Sequence, residues 1–273
     1  MRQDGPARLI FGPDSGTPVL LLHGLPTGAA MAEPLARELG RRGLRACALD
    51  LPGYGAQPDV LRRDRSVTAH AAWLRAELDG LGWERPVVLG HDYGGLLAAE
   101  LAVAGRARAV VLSSAVTDRG WWFARFTALP GLERYFYRAH AGRLYLQLGV
   151  RADRRDDLQR LFLPQTRSPD MPDRMRDTAR GLSLARLGRL PALLRATGVP
   201  LLALWGADDP FFRPRAARRI ARKHGPDAQV TLVAGARHYV WWDRPVACAA
   251  AVERWLQSVP KARSPASPSP GKM

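Results

Sequence analysis

Gly90-His91-Asp92-Tyr93-Gly94-Gly95 follows the apolar run Pro86-Val87-Val88-Leu89 and leads into the helix-like stretch Leu96 to Val103. A chain that passes from strand to helix in so few residues must turn tightly. Glycines on both sides of the apex, here Gly90, Gly94 and Gly95, permit the close backbone approach that such a turn needs. The apex side chain is thereby pushed into open space. Asp92 occupies that apex and faces the amino end of the following helix, where free N–H groups and the helix dipole favour negative charge. Taken alone, Asp92 could simply cap the helix. A carboxylate that is ionised and presented in this way is also a nucleophile.

Outward from this turn, strand-like apolar runs alternate with helix-like segments. Pro18 to Leu22 precedes Met31 to Arg42, Ala46 to Leu49 precedes Val67 to Leu78, and Ala109 to Leu112 follows the helix after Asp92. After a break the rhythm returns with Val199 to Trp205, Pro214 to Lys223, Gln229 to Val233 and Pro245 to Gln257. Such alternation predicts an α/β fold with a mostly parallel central sheet, helices on both faces, and catalytic groups at the carboxyl ends of the strands. The break, residues 117–197, lacks strand patterning and is dense in aromatic and arginine residues, so it reads as a helical lid inserted into the sheet domain. The core is then expected in two parts, 1–116 and 198–259. The Pro/Ser/Lys-rich tail, 260–273, has little to bury and is expected to be disordered.

Composition narrows the class further. With 273 residues and 47% hydrophobic content the chain can bury one sizeable core. The run Val19 to Leu22 is too short for a signal h-region, and no stretch approaches the twenty apolar residues of a membrane span. A soluble, cytoplasmic protein with no membrane partner is expected. Cys47 and Cys248 stand far apart without Cys-x-x-Cys or clustered His spacing, so neither a disulfide framework nor a metal site is indicated. The net charge of +16 would suit a polyanionic partner, but its 41 basic residues include only three lysines, and the arginines are spread through every segment. Nucleic acid is therefore not the expected partner. The densest patch, Arg213 to Lys223, reads as the wet face of one helix.

Three further motifs fall at strand ends: Leu22-His23-Gly24-Leu25-Pro26-Thr27, Trp205-Gly206-Ala207-Asp208-Asp209-Pro210, and Gly235-Ala236-Arg237-His238-Tyr239. With Asp92 they place nucleophile, acid and histidine in chain order behind an upstream His-Gly turn. That order resembles the α/β-hydrolase fold over nearly the whole chain apart from the lid and tail. The loop Leu49-Asp50-Leu51-Pro52-Gly53-Tyr54-Gly55 looks like the one that follows the next sheet strand in the same superfamily. An aspartate at the elbow, as His-Asp-aromatic-Gly, is similar to epoxide hydrolases and haloalkane dehalogenases, whereas serine esterases carry Gly-x-Ser-x-Gly there.

The resemblance implies a two-step hydrolysis. Asp92 would displace a leaving group from saturated carbon, and water activated by His238 would then cleave the resulting ester. His238 needs an acceptor on its other ring nitrogen. Asp208 and Asp209 both offer one, and the resemblance favours Asp209. Backbone N–H groups of Leu25 and Tyr93 would form the oxyanion site. His23 and His91 are expected to be structural hydrogen-bonders, and His70, His140 and His224 have no motif around them. No metal or organic cofactor is implied.

The substrate is expected to be a small molecule with an electrophilic carbon. Dehalogenases of this kind typically hold the halide with a tryptophan after the nucleophile and an asparagine or second tryptophan nearby. Those places here carry Tyr93 and Leu25, although Trp121 or Trp122 could substitute. Epoxide hydrolases instead use lid tyrosines to protonate the opening ring, for which Tyr137 is preferred, then Tyr135, with Tyr145 a further candidate. Epoxide hydrolysis is accordingly the first expectation and haloalkane dehalogenation the alternative. A non-catalytic binding protein on a hydrolase scaffold is the alternative from another class, and Ser113 or Ser114 acting as a serine nucleophile is the least favoured, since neither has an elbow's glycines.

Overall fold

The structure is a computed structural model that describes residues 7–62, 64–116, 146–166 and 168–259. Its centre is a seven-stranded sheet in the order β1-β3-β2-β4-β5-β6-β7. The strands are β1 (Arg8–Phe11), β2 (Pro18–Leu22), β3 (Arg45–Leu49), β4 (Val87–His91), β5 (Ala109–Ser113), β6 (Leu201–Gly206) and β7 (Ala228–Val233). All neighbours pair parallel except β1, which runs antiparallel to β3 at the edge. The order reverses around β2 and β4, and the Asp92 turn leaves β4 beside that switch point, where ligands of open α/β sheets are found.

The helices are α1 (Glu33–Arg41), α2 (Val67–Gly80), α3 (Tyr93–Val103), α4 (Arg155–Thr166), α5 (Met171–Arg180), α6 (Leu184–Thr197), α7 (Arg215–His224), α8 (Val240–Asp243) and α9 (Pro245–Ser258). Alternating side chains of the central strands divide them into two layers. Leu20, Val88, Val110 and Ala203 pack with α2, α3, α6 and α7 on one face. Leu21, Leu89, Val111 and Leu204 pack with α1, α4 and α9 on the other. Every residue of β4, β5 and β6 is buried, which explains why they read as continuous apolar runs and not as alternating ones.

Two elements differ from the sequence expectation. The antiparallel strand β1 did not stand out, because its four residues lie half in water at a sheet edge. The helix after the turn begins at Tyr93, three residues before the expected Leu96, so Gly94 and Gly95 form its first turn. The low helix propensity of glycine is overridden there by packing: a Cβ on Gly94 would collide with the backbone carbonyls of Leu22 and His23. Gly94→Ala is therefore expected to destabilise the fold by about 3 kcal/mol or more, read as a lower urea midpoint. Gly80→Ala, at a position with open space around it, should cost nothing.

Between β5 and β6, the described residues 146–166 and 168–197 contain helices and no strand. Arg186 of α6 clamps Glu100 of α3 through both carboxylate oxygens, tying this stretch to the sheet domain. Tyr135, Tyr137, Tyr145, Trp121 and Trp122 lie outside the described residues, as does the tail 260–273. The arginine-rich stretch around α7 buries Ala217, Ile220, Ala221 and His224 and leaves Arg218, Arg222 and Lys223 in water, as its spacing predicts. Both thiols are free and buried, and burial pushes Cys47 up to about 11 and Cys248 upward as well. Among the described residues no helix is long and apolar enough to cross a membrane, and no cluster of three His, Cys, Asp or Glu could hold a metal ion.

Candidate active site

Asp92 sits between β4 and α3 with φ of 52°, a left-handed conformation that aspartate seldom adopts. The backbone around it is fully engaged: its N–H donates to the Ser113 carbonyl at 3.1 Å, and its carbonyl accepts from Gly95 and Val116. Strain of this kind persists only where neighbours over-determine it. The side chain makes no capping hydrogen bond to α3, so the simple helix-cap role is not the one it fills. Gly24 packs directly against the Asp92 side chain, leaving no space there for a Cβ.

The two carboxylate oxygens of Asp92 have different surroundings. Oδ1 accepts the Leu25 N–H at 3.3 Å, and the Tyr93 N–H also favours the ionised form. Oδ2 has no hydrogen-bond partner among the described residues and lies 3.7 Å from Nε2 of His238. One oxygen thus accepts the Leu25 amide while the other faces an imidazole. The amino end of α3 by itself favours a readily ionised group. Burial outweighs it and pushes Asp92 up to about 6, even though the His238 charge and the two amides act to lower it.

His238 follows β7, and its Nδ1 lies 3.2 Å from Oδ2 of Asp209. The other Asp209 oxygen accepts the N–H groups of Phe211 and Phe212, both at 2.9 Å. The turn containing Pro210 brings those amides round, so Asp209 points inward and Asp208 is left exposed. Burial disfavours the imidazolium, but Asp209, Asp92 and Asp243 together override it, and His238 is raised above its ordinary value. Asp92, Asp209 and His238 are 1%, 4% and 0% exposed, so their charges interact at low dielectric and count for more than they would in water.

The flanking histidines hold backbone. His23 donates through Nδ1 to the Gly24 carbonyl at 2.8 Å and accepts the Leu51 N–H at 2.9 Å, and burial lowers it to about 4, so it stays neutral. His91 donates to the His238 carbonyl at 2.9 Å, with the two rings 4.7 Å apart, and burial holds it well below its ordinary value. Sequence could not show that contact, which spans 147 positions. The Tyr93 hydroxyl lies 3.3 Å from Nδ1 of His70 on α2, which gives His70 a partner no motif announced. Phe211 and Phe212 place rings 5.2 and 5.4 Å from His238, and sequence reasoning missed both. Asp243 of α8 accepts the N–H groups of Arg237 and Arg151, fixing the loop that carries His238.

Residues 17–245 match the family described as alpha/beta hydrolase fold. Haloalkane dehalogenase 2 of Mycobacterium tuberculosis is 27% identical over 258 residues, spanning 87% of each chain. Among solved structures, haloalkane dehalogenase DbeA from Bradyrhizobium elkani superposes with a TM-score of 0.74 at 22% identity, covering 92% of this chain and 94% of that one. A thermophilic esterase from Thermogutta terrifontis gives the same TM-score of 0.74 at 22% identity, with 93% of both chains covered. At such identities the superpositions speak for the fold.

Proposed function

Because the chain belongs to the α/β-hydrolase fold family, we propose that it hydrolyses a small electrophile through an ester formed on Asp92. The observation that carries the reading is the asymmetry of that carboxylate: Oδ1 is held by the Leu25 amide, whereas Oδ2 accepts no hydrogen bond among the described residues and faces His238. Oδ2 attacks a saturated carbon of the substrate, and the leaving group departs with the bonding pair. The charge on Asp92 disappears in that step, and with it one of the three carboxylates that raise His238. The imidazole then gives up its proton more readily. It takes a proton from water, and the hydroxide adds to the ester carbonyl while the amides of Leu25 and Tyr93 stabilise the oxyanion. Collapse of that intermediate breaks the ester C–O bond, the alcohol leaves with the proton held by His238, and the Asp92 carboxylate is regenerated. Asp209 keeps the imidazole in the tautomer that accepts at Nε2.

We read the leaving atom as the oxygen of an epoxide. The Tyr93 side chain is turned to His70, so the residue after the nucleophile does not supply the N–H that a departing halide requires. The tyrosines expected to protonate the opening ring, Tyr137 with Tyr135 or Tyr145, belong to the proposed lid over 117–197. Halide is the second reading, and it is favoured by the dehalogenase relatives; Trp121 or Trp122 would then serve as donors. Exposure to a panel of epoxides and haloalkanes decides between them: diol formation supports the first, halide release the second. A panel that yields neither product nor a mass gain on the Asp92 peptide overturns both.

The pH dependence of the first step follows from the carboxylate. Only ionised Asp92 attacks, so the single-turnover rate of ester formation should fall about tenfold between its plateau and pH 5, with an inflection near 6. His238→Gln removes the neighbouring positive charge that lowers Asp92, so the inflection in that variant should move upward. Rapid-quench measurement across pH 4.5 to 8 checks both, and a flat profile excludes Asp92 as the attacking group.

A further inference from the structure

A cavity of about 480 Å³ opens at the amino ends of β2, β4 and β5, opposite the end that carries Asp92. Five residues of strand at about 3.3 Å each separate the two ends, so the cavity lies on the order of 17 Å from the nucleophile and belongs to a different site. Three arginines, Arg42, Arg85 and Arg108, line it together with a single acid, Glu253, a surplus of two positive charges. Arg42 is paired with Glu253 at 3.3 Å. Neither Arg85 nor Arg108 forms an ion pair among the described residues. Arg108 is half-buried, and burial lowers its guanidinium from the ordinary value. A cation that sheds water without gaining a counter-charge is costly, and a bound anion offsets that cost. The rest of the wall includes Leu44 and Leu256, and the volume is that of a small-molecule pocket, far more than an inorganic ion would fill.

We propose that this cavity binds a small organic anion, a carboxylate or phosphate monoester with an apolar body, its charge between Arg85 and Arg108 and its body against Leu44 and Leu256. The chain's own tail is the wrong occupant. Residues 260–273 follow Val259, which lines the cavity, but they carry Lys261, Arg263 and Lys272 and no acidic side chain. A basic segment is repelled where an anion is attracted. The assignment does not depend on the reaction at Asp92.

Calorimetric titration of the full chain with octyl phosphate, octanoate and inorganic phosphate at fixed ionic strength tests this. Saturable one-site binding of an alkyl anion, weakened about tenfold or more by Arg108→Gln and by Arg85→Gln, is the expected result. The tighter of the two alkyl anions names the headgroup. Arg85 is exposed, so its variant leaves the fold intact if Arg108→Gln does not. Equal affinity in wild type and both variants, or no saturable binding, overturns the proposal. Inorganic phosphate binding as tightly as octyl phosphate overturns the apolar part of it.

Discussion

Asp92→Asn should lower turnover by about 10⁴-fold or more and at the same time raise the melting temperature. The first effect follows from chemistry: an amide of the same shape cannot displace a leaving group from saturated carbon. The second follows from burial, which lifts Asp92 from 3.8 to about 6. Between those values the folded chain keeps a proton that the unfolded chain has released, so this group's contribution to stability falls as pH rises through the window. Above it the buried charge costs about 3 kcal/mol. Asparagine removes the charge and keeps an oxygen for the amides of Leu25 and Tyr93. The variant should melt roughly 4–8 °C higher at pH 8, with the difference about halved at pH 5. Calorimetric scans at the two pH values check it. A variant that melts below wild type would show that the ionised carboxylate is stabilised by its neighbours, and one that still turns over would remove Asp92 from the mechanism.

His238→Gln should separate the two half-reactions. Glutamine cannot take a proton from water, so ester hydrolysis should slow by about 10³–10⁴-fold while the attack by Asp92 survives. The protein should then gain the mass of one substrate molecule on the peptide containing Asp92: the whole molecule if an epoxide opens, the molecule less hydrogen halide if a haloalkane reacts. One equivalent of halide would accompany the adduct of a haloalkane, whereas an epoxide, all of whose atoms stay on Asp92, would release nothing until the ester is cleaved. Steady turnover in this variant would show that another group activates water. The absence of an adduct across the whole panel would favour a binding protein on a hydrolase scaffold.

The parts of this site that sequence disclosed are those fixed by local geometry. The turn at Asp92 was legible because Gly90 and Gly94 have no alternative where backbones approach this closely. The choice of Asp209 over Asp208 came from the family resemblance, and the structure brings Asp209 to His238 with the Phe211 and Phe212 amides on its other oxygen. What sequence hid depends on distant partners. His91 holds the His238 carbonyl, and Tyr93 turns to His70 on another helix, contacts that leave no periodicity or spacing behind. Strand β1 was hidden for a different reason: a short edge strand that is half in water carries neither strict alternation nor an unbroken apolar run. The rise of Asp92 was misjudged because the helix end was visible in the sequence and the depth of burial was not.

The proposed nucleophile and the proposed base have unequal foundations. Asp92 rises from β4, which is flanked by β2 and β5, while His238 follows β7, which among the described residues is a margin paired on one side with β6 alone. Fraying at that margin would remove His238 first and leave Asp92 in place. Under mild heat or denaturant such a molecule would consume one substrate and stall, blocked by its own covalent product, so inactivation in the presence of substrate would outrun inactivation in its absence.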